Sequence, residues 1–191
     1  MLIMTNRSRQ CGFSLIEVLV TLFILSVGLL GLAGLQSRIL VTEFETYQRA
    51  QAMLLAQNMA NRIKANPAAG RASNYSGDAV YGVGNTLGAS GCSTTAQRHT
   101  QDLCNWNLAL QGAAVQSSDD VAIGGVMGAR GCIERLTGTA TTAVVLRVTV
   151  AWQGMAPLAV PSLACGQGLY GTDDSLRRTV SMLVSLAYLG G

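Results

Sequence analysis

FSLIEVLVTLFILSVGLLGLAGL, residues 13–35, contains a single charged side chain, Glu17. At about 1.5 Å per residue the stretch makes a helix of about 35 Å, enough to cross a bilayer. An ionised carboxylate in hydrocarbon costs about 2.5–3.5 kcal/mol on insertion scales, so Glu17 needs a compensating charge. The residues before it, Arg7-Ser8-Arg9-Gln10-Cys11-Gly12, point to one. A cut after Gly12 creates an amine at Phe13, four residues before Glu17, which can neutralise this carboxylate or one on a neighbouring copy. Arg7 and Arg9 precede the run, while Arg38, Glu43 and Glu45 follow it. By the positive-inside rule the N-terminus stays cytoplasmic and the chain beyond Leu35 is exported. A cleavable secretory signal would have a shorter apolar core with a small-residue site beyond it. Ala33-Gly34 imitates such a site, but the small residue placed before the run favours a cytoplasmic cut that keeps the helix.

Gly12-Phe13-Ser14-Leu15-Ile16-Glu17-Val18-Leu19-Val20 resembles the class III signal of type IV prepilins and type II secretion pseudopilins. The resemblance implies that a prepilin peptidase cuts between Gly12 and Phe13 and N-methylates Phe13. It also implies that Glu17 guides docking into a growing filament. The continuation from Ile24 to Gln36 resembles the PilV-type minor pilins, with Gly34 where major pilins often carry a proline. Weaker likeness to the same proteins lies in the Val148–Gly154 strand and in Arg177-Arg178. The resemblance implies a pilin-like α+β fold: a long N-terminal helix, transmembrane in its first half, packed on a small C-terminal antiparallel sheet. The implied partners are other major and minor pilins, the prepilin peptidase, an inner-membrane assembly platform, and lipid before assembly.

Cysteine arithmetic agrees with processing. The chain has five cysteines, Cys11, Cys92, Cys104, Cys132 and Cys165, and an odd number is awkward in an exported protein. Loss of residues 1–12 removes Cys11 and leaves four, which an oxidising periplasm can pair in three ways. Cys92–Cys104 and Cys132–Cys165 are favoured, since each closes a loop between neighbouring sequence elements; four buried free thiols are the alternative. No C-x-x-C occurs and His99 is the only histidine, so zinc is disfavoured and no metal or other cofactor is expected. His99, in the polar stretch Thr94–Gln101, reads as solvated.

The chain divides into a leader (1–12), a membrane or filament-core helix (13–35), an amphipathic continuation (36–66) and an exported domain (67–191). In the continuation Leu40, Phe44, Tyr47, Met53, Ala56, Ala60 and Ile63 fall at helical spacing and predict a stripe packed on the domain. Asn66-Pro67 ends the helix. Residues 68–93 read as an extended loop with little regular structure. A short helix over 101–113 carries Leu103, Trp106 and Leu110 on one side, with Trp106 a core anchor. Strands are predicted at 132–136, around Leu146–Trp152 and around Val180–Tyr188, where apolar residues alternate. A long loop joins the last two.

Several function classes are excluded or weakened. Removing Arg7 and Arg9 with the leader takes the basic count from 13 to 11 against 10 acidic residues. A side-chain charge near +1 gives no electrostatic case for a nucleic-acid surface. No nucleophile, base and orienting group cluster, so an enzyme is not expected. Asp119-Asp120 and Asp173-Asp174 read as solvated loop pairs, with weak calcium binding as the alternative. Asn74-Tyr75-Ser76 fits a glycosylation sequon, a short pattern often met by chance. Gly28, Gly31 and Gly34 allow close helix approach in a membrane. The leading expectation is a minor pilin that initiates or modifies pilus assembly, moving from inner membrane to cell surface. The alternatives are a type II secretion pseudopilin, or a tip-displayed adhesin or DNA-binding minor pilin using loops 68–93 or 154–174.

Overall fold

The computed structural model describes residues 12–112 and 125–188. Cys11 and Asp119-Asp120 lie outside the described residues. Helix α1 spans Leu15–Ala65, α2 Pro67–Arg71 and α3 Arg98–Leu110; the strands are β1 (Tyr81–Gly82), β2 (Arg130–Thr137), β3 (Val144–Gln153) and β4 (Arg177–Leu186). All strand pairs are antiparallel, in the order β1-β2-β3-β4. The fold is therefore α+β, a long helix and a small sheet. By packing the chain forms two units, divided after Glu43. Arg62 and Lys64 sit in the last turn of α1, where cations favour the helix dipole. Pro67 then opens α2, its missing N–H harmless in a first turn. Within 68–93 only the rest of α2 and the two-residue β1 are regular, so the stretch has little regular structure, as expected.

In the second unit α1 buries Gln48, Ala52, Ala56, Met59, Ala60 and Ile63. Ala56, Ala60 and Ile63 lie on the predicted stripe, but Leu40, Phe44, Tyr47 and Met53 are exposed, 39–64 %. A one-residue offset turns a side chain by about 100°, and the face that meets the domain is the one with the smaller residues. Its residues share one core with residues of the sheet. Those are Ile133 of β2, Val144, Leu146, Val148, Val150 and Trp152 of β3, and Val184 and Leu186 of β4. Trp106 of α3 is fully buried and donates its indole N–H to the Leu55 carbonyl at 3.0 Å. Its ring lies over Gly131, where a Cβ would come within 2.3 Å of Cη2. The residue facing Trp106 on β2 must therefore be glycine.

The second face of the sheet is closed differently. Thr149 and Ala151 of β3, expected on a half-exposed face, are buried. Ala151, Cys165 and Tyr170 form a second small core with Cys132 beside it. The covering segment is the long loop between β3 and β4, and one guanidinium organises it. Arg177 is 1 % exposed. It donates to the carbonyls of Cys165 (3.1 Å), Pro161 (3.0 Å) and Leu163, and pairs with Asp174 at 3.2 Å. The Asp173-Asp174 pair is thus not jointly solvated. Asp173 is exposed and accepts the Ser175 N–H, whereas Asp174 is buried and accepts the Gly168 N–H at 2.8 Å. Neighbouring side chains diverge, so one faces water and the other the clasp.

A second polar cluster ties α1 to α3. Arg62 meets the buried Asp102 carboxylate at 3.0 Å, Tyr75 donates to the same carboxylate at 2.6 Å, and Asn66 donates to the Tyr75 oxygen. His99 is half-buried with its ring edge-on to Tyr75 at 6.1 Å, not free in solvent. Burial first, then the hydrogen bond to Asp102, pushes the Tyr75 phenol up to about 12.

Two predictions follow from these clusters. Arg177→Leu leaves Asp174 buried without its partner, so chemical unfolding of the full chain in detergent is expected to show a loss of about 3–5 kcal/mol. An unchanged midpoint would remove the clasp from the account. For Tyr75 the folded phenol holds its proton beyond the unfolded value of 10.0. Its contribution is complete below pH 10 and is lost as pH rises toward 12. Melting temperature measured across that window is expected to fall less steeply in Tyr75→Phe than in the parent chain.

Candidate functional site

The sequence singled out Gly12, Phe13 and Glu17, and the structure places them at the start of α1. Gly12, Phe13 and Ser14 precede the helix, and the Ser14 carbonyl accepts the N–H groups of Glu17 (3.0 Å) and Val18 (3.3 Å). Glu17 therefore stands in the first turn, where free N–H groups and the helix dipole favour negative charge. Phe13 is 84 % exposed. The Gly12–Phe13 bond lies in exposed backbone ahead of the first hydrogen-bonded turn.

From Phe13 to Leu35 the apolar side chains are exposed throughout. This part of α1 has no core of its own, and it is long and apolar enough to cross a membrane. Its hydroxyl side chains are satisfied within the helix: Thr21 bonds the Val18 carbonyl at 2.9 Å and Ser26 the Leu22 carbonyl at 2.7 Å. Neither needs a partner from outside, which suits them to lipid. Among the described residues the Glu17 carboxylate has no such internal answer. At 100° per residue, Glu17, Thr21, Gly28 and Gly31 fall on one side of the helix together with Ile24 and Leu35, while Ser26, Ala33 and Gly34 lie elsewhere among the large apolar side chains. Gly28 and Gly31 have open space where a Cβ would stand.

In the other unit the cysteines form two disulfides, Cys92–Cys104 and Cys132–Cys165. The first joins loop 83–97 to α3, with Gly88 packed against both sulfurs. The second joins β2 to the loop that Arg177 holds. Loops 68–93 and 154–174, which the alternative reading of a binding module would use, meet in a cleft of about 450 Å³. Its floor is Cys132, Glu134, Arg147 and Thr149, and its walls are 77–80 and 162–166. Arg147 and Glu134 pair across the floor at 3.3 Å. Among the described residues no group of three or more His, Cys, Asp or Glu could hold a metal ion. Sequence reasoning missed Arg177 as the organiser of this region; the only signal was an arginine pair opening an alternating strand.

Residues 7–33 match the prokaryotic N-terminal methylation motif. No curated protein and no solved structure matches the chain. The matched segment contains Gly12, Phe13 and Glu17 and supports a membrane-anchored, type IV pilin-like or pseudopilin subunit that a prepilin peptidase processes. It does not extend to the sheet domain, whose description rests on the structure alone.

The disulfides give a testable ranking. Chain-entropy arguments make the Cys132–Cys165 link, with 33 residues of separation, worth about 4 kcal/mol, and Cys92–Cys104, with 12, about 3 kcal/mol. Paired Cys→Ala variants are expected to lose stability in that order in urea titrations. A reversed order would show that native-state packing, not loop closure, governs the difference.

Proposed function

We propose that the protein is a minor pilin of a type IV pilus, of the PilV-like kind, that helps initiate or modify assembly. The observation that carries the reading is Glu17, the one charge of an apolar segment without a core, one turn beyond an accessible Gly12–Phe13 bond inside the methylation motif. In this reading the precursor sits in the inner membrane with its N-terminus cytoplasmic and its domain periplasmic. Prepilin peptidase removes residues 1–12 and methylates Phe13. The methylated amine keeps its charge, so it can still pair with a carboxylate.

Assembly then follows from electrostatics. A subunit leaving lipid brings Glu17 among the helices of other pilins, where a buried carboxylate without a partner is heavily disfavoured. Pairing with the N-terminal amine of a neighbour removes that penalty in one axial register only. The remaining contacts are apolar and tolerate sliding, so this pair sets the register. The assembly platform of the inner membrane supplies the work of extraction.

Intact mass and N-terminal sequence of the protein from membranes test the first step. A chain beginning at methylated Phe13, and at Met1 when the peptidase is absent, is expected. A cut beyond Leu35 would end the filament reading. Glu17→Ala is expected to insert and be processed normally, yet to fall at least tenfold in sheared surface pili, as measured by quantitative immunoblot. Undiminished incorporation would remove Glu17 from the mechanism. Recovery of the parent chain with a secretion complex rather than with pili would assign it as a pseudopilin.

A further inference from the structure

β3 runs out at Gln153 into a stretch without charge: no acidic or basic residue occurs from Gly154 to Thr172. The first part of this stretch is turned to the outside. Met155, Leu158 and Val160 are 49, 57 and 51 % exposed, and Ala156, Pro157 and Ala159 between them are exposed as well. Met127 is also exposed and adjoins this end of β3, where its carbonyl accepts the Gln153 N–H. Soluble surfaces rarely leave a run of apolar side chains this open without a contact for it.

The segment is held in place from behind. Met155 donates its N–H to the Glu45 carboxylate at 2.9 Å, Leu158 donates to the Ser175 carbonyl at 2.8 Å, and Arg178 donates to the Ala156 carbonyl. Arg177 holds the Pro161 carbonyl at 3.0 Å. Pro157 and Pro161 have no N–H to satisfy. From 155 to 161 only the N–H groups of Ala156, Ala159 and Val160 are left without a partner among the described residues. A loop whose backbone is largely answered from within, with apolar side chains turned outward, loses little on meeting a less polar medium.

The attachments say which medium that is. Glu45, which holds Met155, and Gln48, which accepts the Met127 N–H at 2.9 Å, both belong to α1. Glu45 follows Leu35, the end of the apolar run, by ten residues, about 15 Å of helix. Chain connectivity keeps the segment close to the bilayer in which that run is anchored, and a surface tethered at such range needs only weak affinity of its own. Ile39, Leu40 and Tyr47 along this part of α1 are exposed too, and tyrosine favours the headgroup level of a membrane. The carboxylate that bonds Met155 is itself matched by Arg178.

We propose that the segment Met155–Val160, with Met127 beside it, lies against the surface of the bilayer that anchors the chain. Met155, Leu158 and Val160 stand at the boundary between headgroups and acyl chains, where apolar side chains gain and backbone groups still meet water. The domain then has two holds on the membrane, the apolar run of α1 and this loop. The inference rests on membrane anchoring by α1 and is independent of the pilus reading.

The test uses the full chain in vesicles of phosphatidylethanolamine and phosphatidylglycerol whose acyl chains carry bromine, a contact quencher of tryptophan, at a shallow or a deep position. Trp106 and Trp152 are buried and give a background that the parent chain measures. Single tryptophans are added in Leu158→Trp, in Val160→Trp, in Phe23→Trp within the apolar run, and in Thr141→Trp. Thr141 lies in the turn before β3, at the opposite end of that strand from Met155, about 30 Å away. Leu158→Trp and Val160→Trp are expected to lose at least half of the added emission to shallow bromine. Phe23→Trp is expected to lose it to deep bromine, and Thr141→Trp to keep it. Positions 158 and 160 are exposed, so the core is untouched, and either reporter suffices should the other fail to fold. Quenching of Phe23→Trp with neither loop reporter quenched overturns the proposal and leaves the anchor standing. No quenching of Phe23→Trp overturns both. Equal quenching at Thr141→Trp and Leu158→Trp also overturns it, as adsorption without a preferred face. An emission shift at Leu158→Trp that ignores bromine and grows with the protein-to-lipid ratio overturns it too, and assigns the segment to a second copy.

Discussion

The apolar core that the second unit's part of α1 shares with β2, β3 and β4 is the contact on which the domain depends. α1 gives it Ala52, Ala56, Met59, Ala60 and Ile63, and β3 gives it Val144, Leu146, Val148, Val150 and Trp152. Trp106 of α3 is pressed against Gly131 and bonded to the Leu55 carbonyl, which makes α3 a wedge between helix and sheet edge. Arg62, one turn from the end of α1, is then within reach of Asp102 on α3, and Tyr75 fills the remaining position on that carboxylate.

The opposite sheet face shows another solution to the same problem of covering apolar surface. Among the described residues no helix lies there. A loop does, and a loop brings unpaired backbone carbonyls that burial would penalise. Arg177 answers three of them from one buried position, and Asp174 balances its charge. Cys165 fixes the same segment to β2 through Cys132. The cleft between this loop and residues 77–80 is therefore bounded by a wall held at several points.

The membrane-competent part of α1 obeys the reverse logic. Among the described residues its side chains find nothing to pack on, and its hydroxyls are satisfied locally. Among the same residues the Glu17 carboxylate is left without such an answer. A charge that is tolerable at a helix start near water, and intolerable alone among apolar helices, discriminates between two surroundings more sharply than any apolar contact could. That discrimination is what a subunit moving from lipid to filament requires.

Much of this was legible in the chain. The apolar run, Glu17 within it, the helix stop at Asn66-Pro67 and the alternating strands are local patterns, set by the backbone's own periods of 3.6 and 2. They determined the helix, the sheet and the processing motif. Local period could not say which face of α1 is buried, because Tyr47 and Gln48, or Met53 and Ala52, are adjacent residues on equally helical stripes. The core shared with the sheet decided it. Nor could it separate Asp173 from Asp174, or show that Arg177 gathers carbonyls from residues 161–165, since such bonds join positions distant along the chain. The strand order β1-β2-β3-β4 likewise joins positions distant along the chain, and only the folded chain determines it.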